Sequence, residues 1–180
     1  MDVSNHKNVE QVIRWYLSFL PPRYCKSILD IGAGESAPYR GILRNRCETY
    51  AALDIRPGKW VDYVCSVTEI PFSENEWEWG WCVETLEHIP QELQHQAVRE
   101  ILRVCQNVVF CFPTPIHPSF PADPGHVEVL FDFHKEIDKK EYNLLDKSSK
   151  TGRNVYIITE DGYKYPKNNI TQASKISEWI

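Results

Sequence analysis

The chain has 180 residues, 42% hydrophobic and 25% charged, the make-up of one globular domain with its own core and little room for a second. Its formal net charge is -5, with 25 acidic against 20 basic side chains, which offers no broad basic surface for long nucleic acid. No apolar run reaches the ~18 residues that cross a bilayer, and the start, Met1-Asp-Val-Ser-Asn-His-Lys7, lacks a signal-like apolar stretch, so a cytoplasmic protein without a membrane partner is expected.

Residues 8–20 place Val9, Val12, Ile13, Tyr16, Leu17 and Leu20 at helical spacing, and Pro21-Pro22 stops that helix. Residues 27–31 read as a buried strand running into Gly32-Ala33-Gly34, and 36–46 as the next helix. Strands follow at 50–54, 61–65 and 79–83, then a helix over 90–103 with Leu93, Ala97, Ile101 and Leu102 on one face, then a fifth strand over 107–112. Trp77, Trp79 and Trp81 alternate as strand residues do and read as core, with stacking on a substrate as the other use. Residues 113–128 hold five prolines and read as a long functional loop. A further helix is predicted over 135–146. A hairpin is predicted from residues 154–160 to 163–165 through Asp161-Gly162, a strong two-residue turn signal.

Apolar strands alternating with helices predict an α/β fold: a Rossmann-like, mostly parallel sheet with helices on both faces and a C-terminal antiparallel hairpin. The expected organisation is a single domain over 1–180, with an N-terminal helix in 1–26, a core over 27–166 and a tail over 167–180. The six cysteines include no Cys-x-x-Cys pair, which argues against a zinc ribbon or thioredoxin-like site. Cys65, Cys82, Cys105 and Cys111 lie in apolar runs and read as buried, reduced thiols.

Gly32-x-Gly34 follows a strand and opens the next element, where glycine lets a ligand approach the backbone. Asp54 ends the following strand, 20 residues beyond Gly34, where an acid can accept from both hydroxyls of a ribose. Ser36 and Ala37 stand where a dinucleotide loop would carry its third glycine, and Glu35 would repel a pyrophosphate. Acids at Asp30 and Glu35 suit the cationic methionyl group of S-adenosylmethionine better than NAD.

Ile28-Leu-Asp-Ile-Gly-Ala-Gly34 resembles the first motif of the class I S-adenosylmethionine-dependent methyltransferases, and Leu53-Asp54-Ile55 resembles their ribose-binding acid motif. Cys65-Ser-Val-Thr-Glu-Ile-Pro-Phe72 and the Leu86-Glu87-His88 ending after the fourth strand are similar to two more, in the same order. The resemblance implies that Asp30, Gly32, Ala33 and Gly34 serve the methionine side. It implies that Asp54 holds the ribose, Ile55 packs on the adenine, and Ser66 and Val67 meet its edge. Ser66 stands where the family often has an aspartate, which implies a weaker grip on the adenine amino group.

Glu84-x-x-Glu87-His88 would put two carboxylates and an imidazole on one face of a helical turn beside that site. The pattern resembles two groups that use a divalent cation: the ubiquinone-biosynthesis O-methyltransferases and the small-RNA 2′-O-methyltransferases. The resemblance implies Glu84, Glu87, His88 and His126 as ligands to Mg²⁺ or Mn²⁺, with His117 as second choice to His126. Without a metal, His88 or His126 could act as the base. The alternative is that Glu87 and His88 satisfy local backbone groups. The functional expectation is S-adenosylmethionine-dependent O-methylation of a small molecule, in preference to a nucleic-acid hydroxyl. The other reading is a catalytically silent S-adenosylmethionine-binding module acting as a subunit or regulator.

Overall fold

The computed structural model describes residues 24–138, 142–146 and 152–160. Its frame is a seven-stranded sheet: β1 (Cys25–Ile31), β2 (Cys47–Asp54), β3 (Tyr63–Val64), β4 (Trp77–Val83), β5 (Cys105–Pro113), β6 (Tyr142–Asp146) and β7 (Arg153–Glu160). Their order across the sheet is β3-β2-β1-β4-β5-β7-β6. The first five strands run parallel, and β7 pairs antiparallel with both β5 and β6. The chain reverses direction across the sheet between β1 and β4, and their C-terminal ends open the crevice where such folds bind ligands.

Both faces of the central strands are buried, because successive side chains of a strand point to opposite sides. Leu29, Ile31, Val108 and Phe110 pack on one side with Ala97, Val98 and Ile101 of α2 (Gln91–Val104). Ile28, Trp79, Trp81, Val109 and Cys111 pack on the other with Leu43 of α1 (Arg40–Leu43). The three alternating tryptophans are all buried, in the centre of the sheet, so they are core. Among the described residues no helix is long and apolar enough to cross a membrane.

Two elements differ from the sequence reading. The helix predicted over 36–46 shrinks to α1 and a single 3-10 turn at Arg44–Arg46. Ala37 sits at φ +40 ahead of Pro38, and helical geometry starts only after that bend. The helix predicted over 135–146 is one turn, α3 (Phe133–Glu136), followed by strand β6. Asp132 caps that turn by accepting from the amides of His134 and Lys135. Phe133 is held by tertiary packing, stacked on Tyr156 at 4.4 Å between ring centres. The C-terminal hairpin exists, with β6 as the partner of β7. The predicted turn at Asp161-Gly162, the helix over 8–20 and the tail lie outside the described residues.

One buried polar side chain joins the helix to the site. Gln94 of α2 donates to the carbonyls of Ile89 and Glu128, both at 3.2 Å, and accepts from the amide of Leu130 at 2.8 Å. It therefore fixes the end of the 113–128 loop against the turn that follows β4. Gln94→Ala strands these buried backbone groups and should cost ~2 kcal/mol or more in urea unfolding, against under ~0.5 kcal/mol for the exposed neighbour Gln91→Ala.

Candidate active site

The tips of β1 and β2 are fastened to each other. The amides of Gly32 and Ala33 both donate to the carbonyl of Leu53, at 2.9 and 3.0 Å. Gly32 and Gly34 lie at φ +68 and +67, a region costly for other residues. A Cβ on Gly32 would fall 2.3 Å from Cγ2 of Thr85, whose hydroxyl donates to the carbonyl of Ile31. A Cβ on Gly34 would meet nothing within 4 Å, since that glycine faces open space.

Asp54 completes the joint. Its Oδ2 accepts from the amide of Gly34 at 2.8 Å and its Oδ1 from the amide of Arg56 at 2.9 Å. A carboxylate offers about four acceptor positions, so roughly two remain for a ligand's hydroxyls. Gly32, Gly34, Asp54, Ile55, Ser66 and Val67 line one cleft of about 720 Å³. Ile55 is 69% exposed on its rim. Ser66 Oγ accepts from the amide of Thr68 and shares a 2.7 Å hydrogen bond with its hydroxyl.

Asp30 and Ala33 do not line the cleft. Ala33 packs against Ala37 and Ala52 beneath the loop. Asp30, 2% exposed, accepts a 2.7 Å hydrogen bond from the Tyr50 hydroxyl. Burial pushes its carboxyl up to about 7, against the pull of that bond and of Arg40.

A second group of side chains lies at the end of β4. Glu87, His88 and His126 bring one ligand-type atom each within 4.8 Å of one another. Glu87 and His88 sit on a 3-10 turn, Leu86–His88. The amide of Val127 donates to the Glu87 carbonyl at 2.7 Å, which draws the proline-rich loop and His126 against that turn. The rings of His88 and His126 meet edge to face, 4.7 Å between centres. Glu87 is fully buried, and neither of its carboxylate oxygens has a hydrogen-bond partner among the described residues. The same holds for His126 Nδ1. Burial first, then the charge of Glu84, raises the Glu87 carboxyl to about 8. Burial and the neighbouring His126 pull His88 below its ordinary value.

Glu84 lines the same cleft but does not join that cluster. The expected convergence assumed one helical turn from Glu84 onward. Instead Glu84 takes φ +55 and the turn starts only at Leu86. Its Oε1 pairs with Arg153 of β7 at 2.7 Å. Arg153 Nε donates to Nε2 of His117 at 3.1 Å, and His117 Nδ1 lies 2.6 Å from the Ser119 hydroxyl. His117 is thereby tied to Glu84 through Arg153.

The sequence reading passed over Thr68, Arg56 and Asp123, all on the cleft wall, and Arg153. Arg56 directly follows the acid motif, and its guanidinium lies 3.7 Å from Asp54 Oδ1. Asp123 Oδ2 lies 3.7 Å from His126 Nε2.

Residues 29–111 match the family described as the methyltransferase domain. The fold is similar to that of the small RNA methyltransferase HEN1, with a TM-score of 0.66 and 14% identity over 87% of this chain and 26% of that one. It is similar to a methyltransferase in complex with the Haloferax volcanii Trm112 methyltransferase activator, with a TM-score of 0.63 and 10% identity over 87% of this chain and 91% of the other. A SAM-dependent methyltransferase from Aquifex aeolicus has a TM-score of 0.57 and 14% identity, over 88% and 98% of the two chains. The chain spans about a quarter of the length of HEN1. No curated protein matches the sequence at a significant level. The fold is the Rossmann-like one of these solved methyltransferases. The family match runs from within β1 to within β5.

The state of Asp30 makes stability depend on pH. Its folded-state value, about 7, exceeds the ordinary 3.8, so the folded form holds a proton that the unfolded form gives up between those values. Stability therefore falls as pH rises from about 4 to 7. Asp30→Asn removes this loss. Its stabilisation relative to the parent should be ~2 kcal/mol larger at pH 8 than at pH 5 in paired urea titrations.

Proposed function

We propose that the chain transfers the methyl group of S-adenosylmethionine to a hydroxyl oxygen, with a divalent cation held by Glu87, His88 and His126. The observation that carries this reading is the buried Glu87 carboxylate, both oxygens unpartnered, beside two imidazoles, of which His88 lines the cofactor cleft. Buried polar atoms are almost always partnered, and three orphaned ones in one place fit a missing ligand. Two imidazoles and a carboxylate suit Mn²⁺, Co²⁺ or Zn²⁺ and are less suited to Mg²⁺, which prefers oxygen. When bound there, such a cation supplies Lewis acidity, lowering the pKa of a hydroxyl placed beside it.

The chain's own residues do the rest. Gly34 leaves room for the methionyl part, and Asp54 offers its two remaining acceptor positions to the ribose hydroxyls. Ile55 covers one side of the adenine, while Ser66 and Val67 meet its edge. Burial and the neighbouring His126 hold the His88 imidazole below its ordinary value, which favours the neutral form that a metal ligand needs, or a base where no cation is bound. Glu84, neutralised by Arg153, shapes the rim of the cleft without adding an unpaired charge. The acceptor proposed is a small hydroxylated molecule, in line with the chain's net charge of -5, with a nucleic-acid hydroxyl as the competing class.

Two experiments test separate parts of this reading. Asp54→Ala should weaken S-adenosylhomocysteine binding by calorimetry at least about tenfold, for the loss of charge-assisted hydrogen bonds worth roughly 1.5–3 kcal/mol each. Unchanged affinity would remove the ribose assignment. For the cation, methyl transfer to a panel of hydroxylated metabolites and short RNAs should stop on exhaustive EDTA treatment and return with Mn²⁺ or Co²⁺. S-adenosylhomocysteine affinity should stay within about twofold throughout. Glu87→Gln and His126→Ala should lose calorimetric Mn²⁺ binding while Glu84→Gln retains most of it. Turnover that survives chelation would leave His88 as the base and Glu87 as a structural acid.

A further inference from the structure

Cys25 and Cys47 are the first residues of β1 and β2, and they stand directly opposite each other in the parallel pairing of those strands. Among the described strand pairs, no other register position sets two cysteines side by side. Neighbouring strands lie ~4.8 Å apart, inside the Cα separation of about 4.4–6.8 Å that a disulfide spans. Joining the two sulfurs therefore calls for side-chain rotation and little movement of the backbone. Both cysteines are free.

The two thiols are unequal. Cys25 is 3% exposed and its Sγ points to the carbonyl of Arg46 at 3.4 Å. Cys47 is half-buried and its Sγ points to the carbonyl of Leu43, also at 3.4 Å. The two neighbouring thiols shift one another in opposite directions: the Cys25 side chain beside it holds the Cys47 thiol below its ordinary value, while Cys47 and burial drive the Cys25 thiol upward. A partly exposed thiol set beside a buried second thiol is the arrangement of a reactive and a resolving cysteine.

We propose that Cys47 and Cys25 form a thiol–disulfide couple that responds to peroxide, at the end of the sheet opposite the cofactor cleft and independent of methyl transfer. The Cys47 thiolate attacks one peroxide oxygen; an S–O bond forms, the O–O bond breaks, and hydroxide leaves and becomes water. The Cys25 sulfur then attacks the Cys47 sulfur. An S–S bond forms, the S–O bond breaks, and the Cys25 proton leaves with the second hydroxide as water. Two thiols are oxidised to one disulfide while one hydrogen peroxide is reduced to two waters. The bond would fasten the two strands whose other ends carry Gly34 and Asp54.

The test uses the full chain, reduced, desalted and exposed to a few equivalents of hydrogen peroxide. Remaining thiols are then blocked with N-ethylmaleimide and the digest is mapped by mass spectrometry. The expected product is one cross-linked peptide pair, Cys25 to Cys47, lighter by two hydrogens and returned to free thiols by dithiothreitol. In Cys25→Ser, Cys47 should stop at the sulfenic acid and be captured by dimedone. In Cys47→Ser, Cys25 should stay unmodified. The proposal is overturned if Cys47 runs to sulfinic acid in the parent without engaging Cys25, or if it resists peroxide. A cross-link between other cysteines, or between two chains, would overturn it equally. The mapping of the parent decides the matter even if a serine variant folds poorly.

Discussion

The carboxylate of Asp54 holds the site together. Through Gly34 it ties the tip of β2 to the glycine loop of β1, and through Arg56 it fixes the direction in which the chain leaves the sheet. Both bonds use backbone amides that would otherwise be left without a partner at the end of a sheet. The joint is possible only because β1 and β2 run parallel in a register that sets Ile31 beside Leu53. Thr85, on the neighbouring β4 side, closes the third edge by filling the volume that any side chain on Gly32 would need. Ribose binding and loop geometry are therefore coupled: the acid that can receive a nucleotide also shapes the loop that accommodates the rest of it.

Beside this satisfied joint stands an unsatisfied one. A fully buried carboxylate without hydrogen bonds costs several kcal/mol unless it protonates or gains a partner. Glu87 takes the first course in the structure as it stands, its carboxyl raised to about 8. The residues around it leave the second course open, since His126 Nδ1 is equally without a partner. Arg153 lies near and pairs with Glu84, which leaves the Glu87 oxygens free for another cation. The division of two acids between one fixed guanidinium and one open position is more informative than the presence of two acids in a short motif.

What the sequence made legible was local. Gly32, Gly34 and Asp54 announce themselves because backbone geometry and a short strand–loop–strand spacing demand them, and the alternating Trp77, Trp79 and Trp81 announce a strand. What it hid was long-range. Arg153 meets Glu84 across 69 positions of sequence, and no pattern near either residue signals the other. The helix read over 135–146 failed for a related reason. Ile137, Tyr142 and Leu145 fit a helical stripe as well as they fit a turn and a strand. Pairing with Ile157 and Ile158 of β7, and the packing of Phe133 on Tyr156, decided between them.

The C-terminal hairpin is more than an edge to the sheet. Gly152 lies at φ +90, and a Cβ there would fall within 3 Å of Ile116 and of the His117 amide. Its carbonyl accepts from both the amide and the hydroxyl of Thr114. One residue later Arg153 grips Glu84 and His117. The start of β7 thus clamps the first part of the proline-rich loop. Gln94 clamps its last part, and the amide of Val127 draws the stretch between them onto Glu87. A loop rich in proline loses less entropy on ordering than another of its length. Fixed at both ends, it can present His126 to His88 at a defined distance with no regular secondary structure of its own. The position of His126 is therefore a property of the whole sheet, carried to the cleft by β7 on one side and α2 on the other.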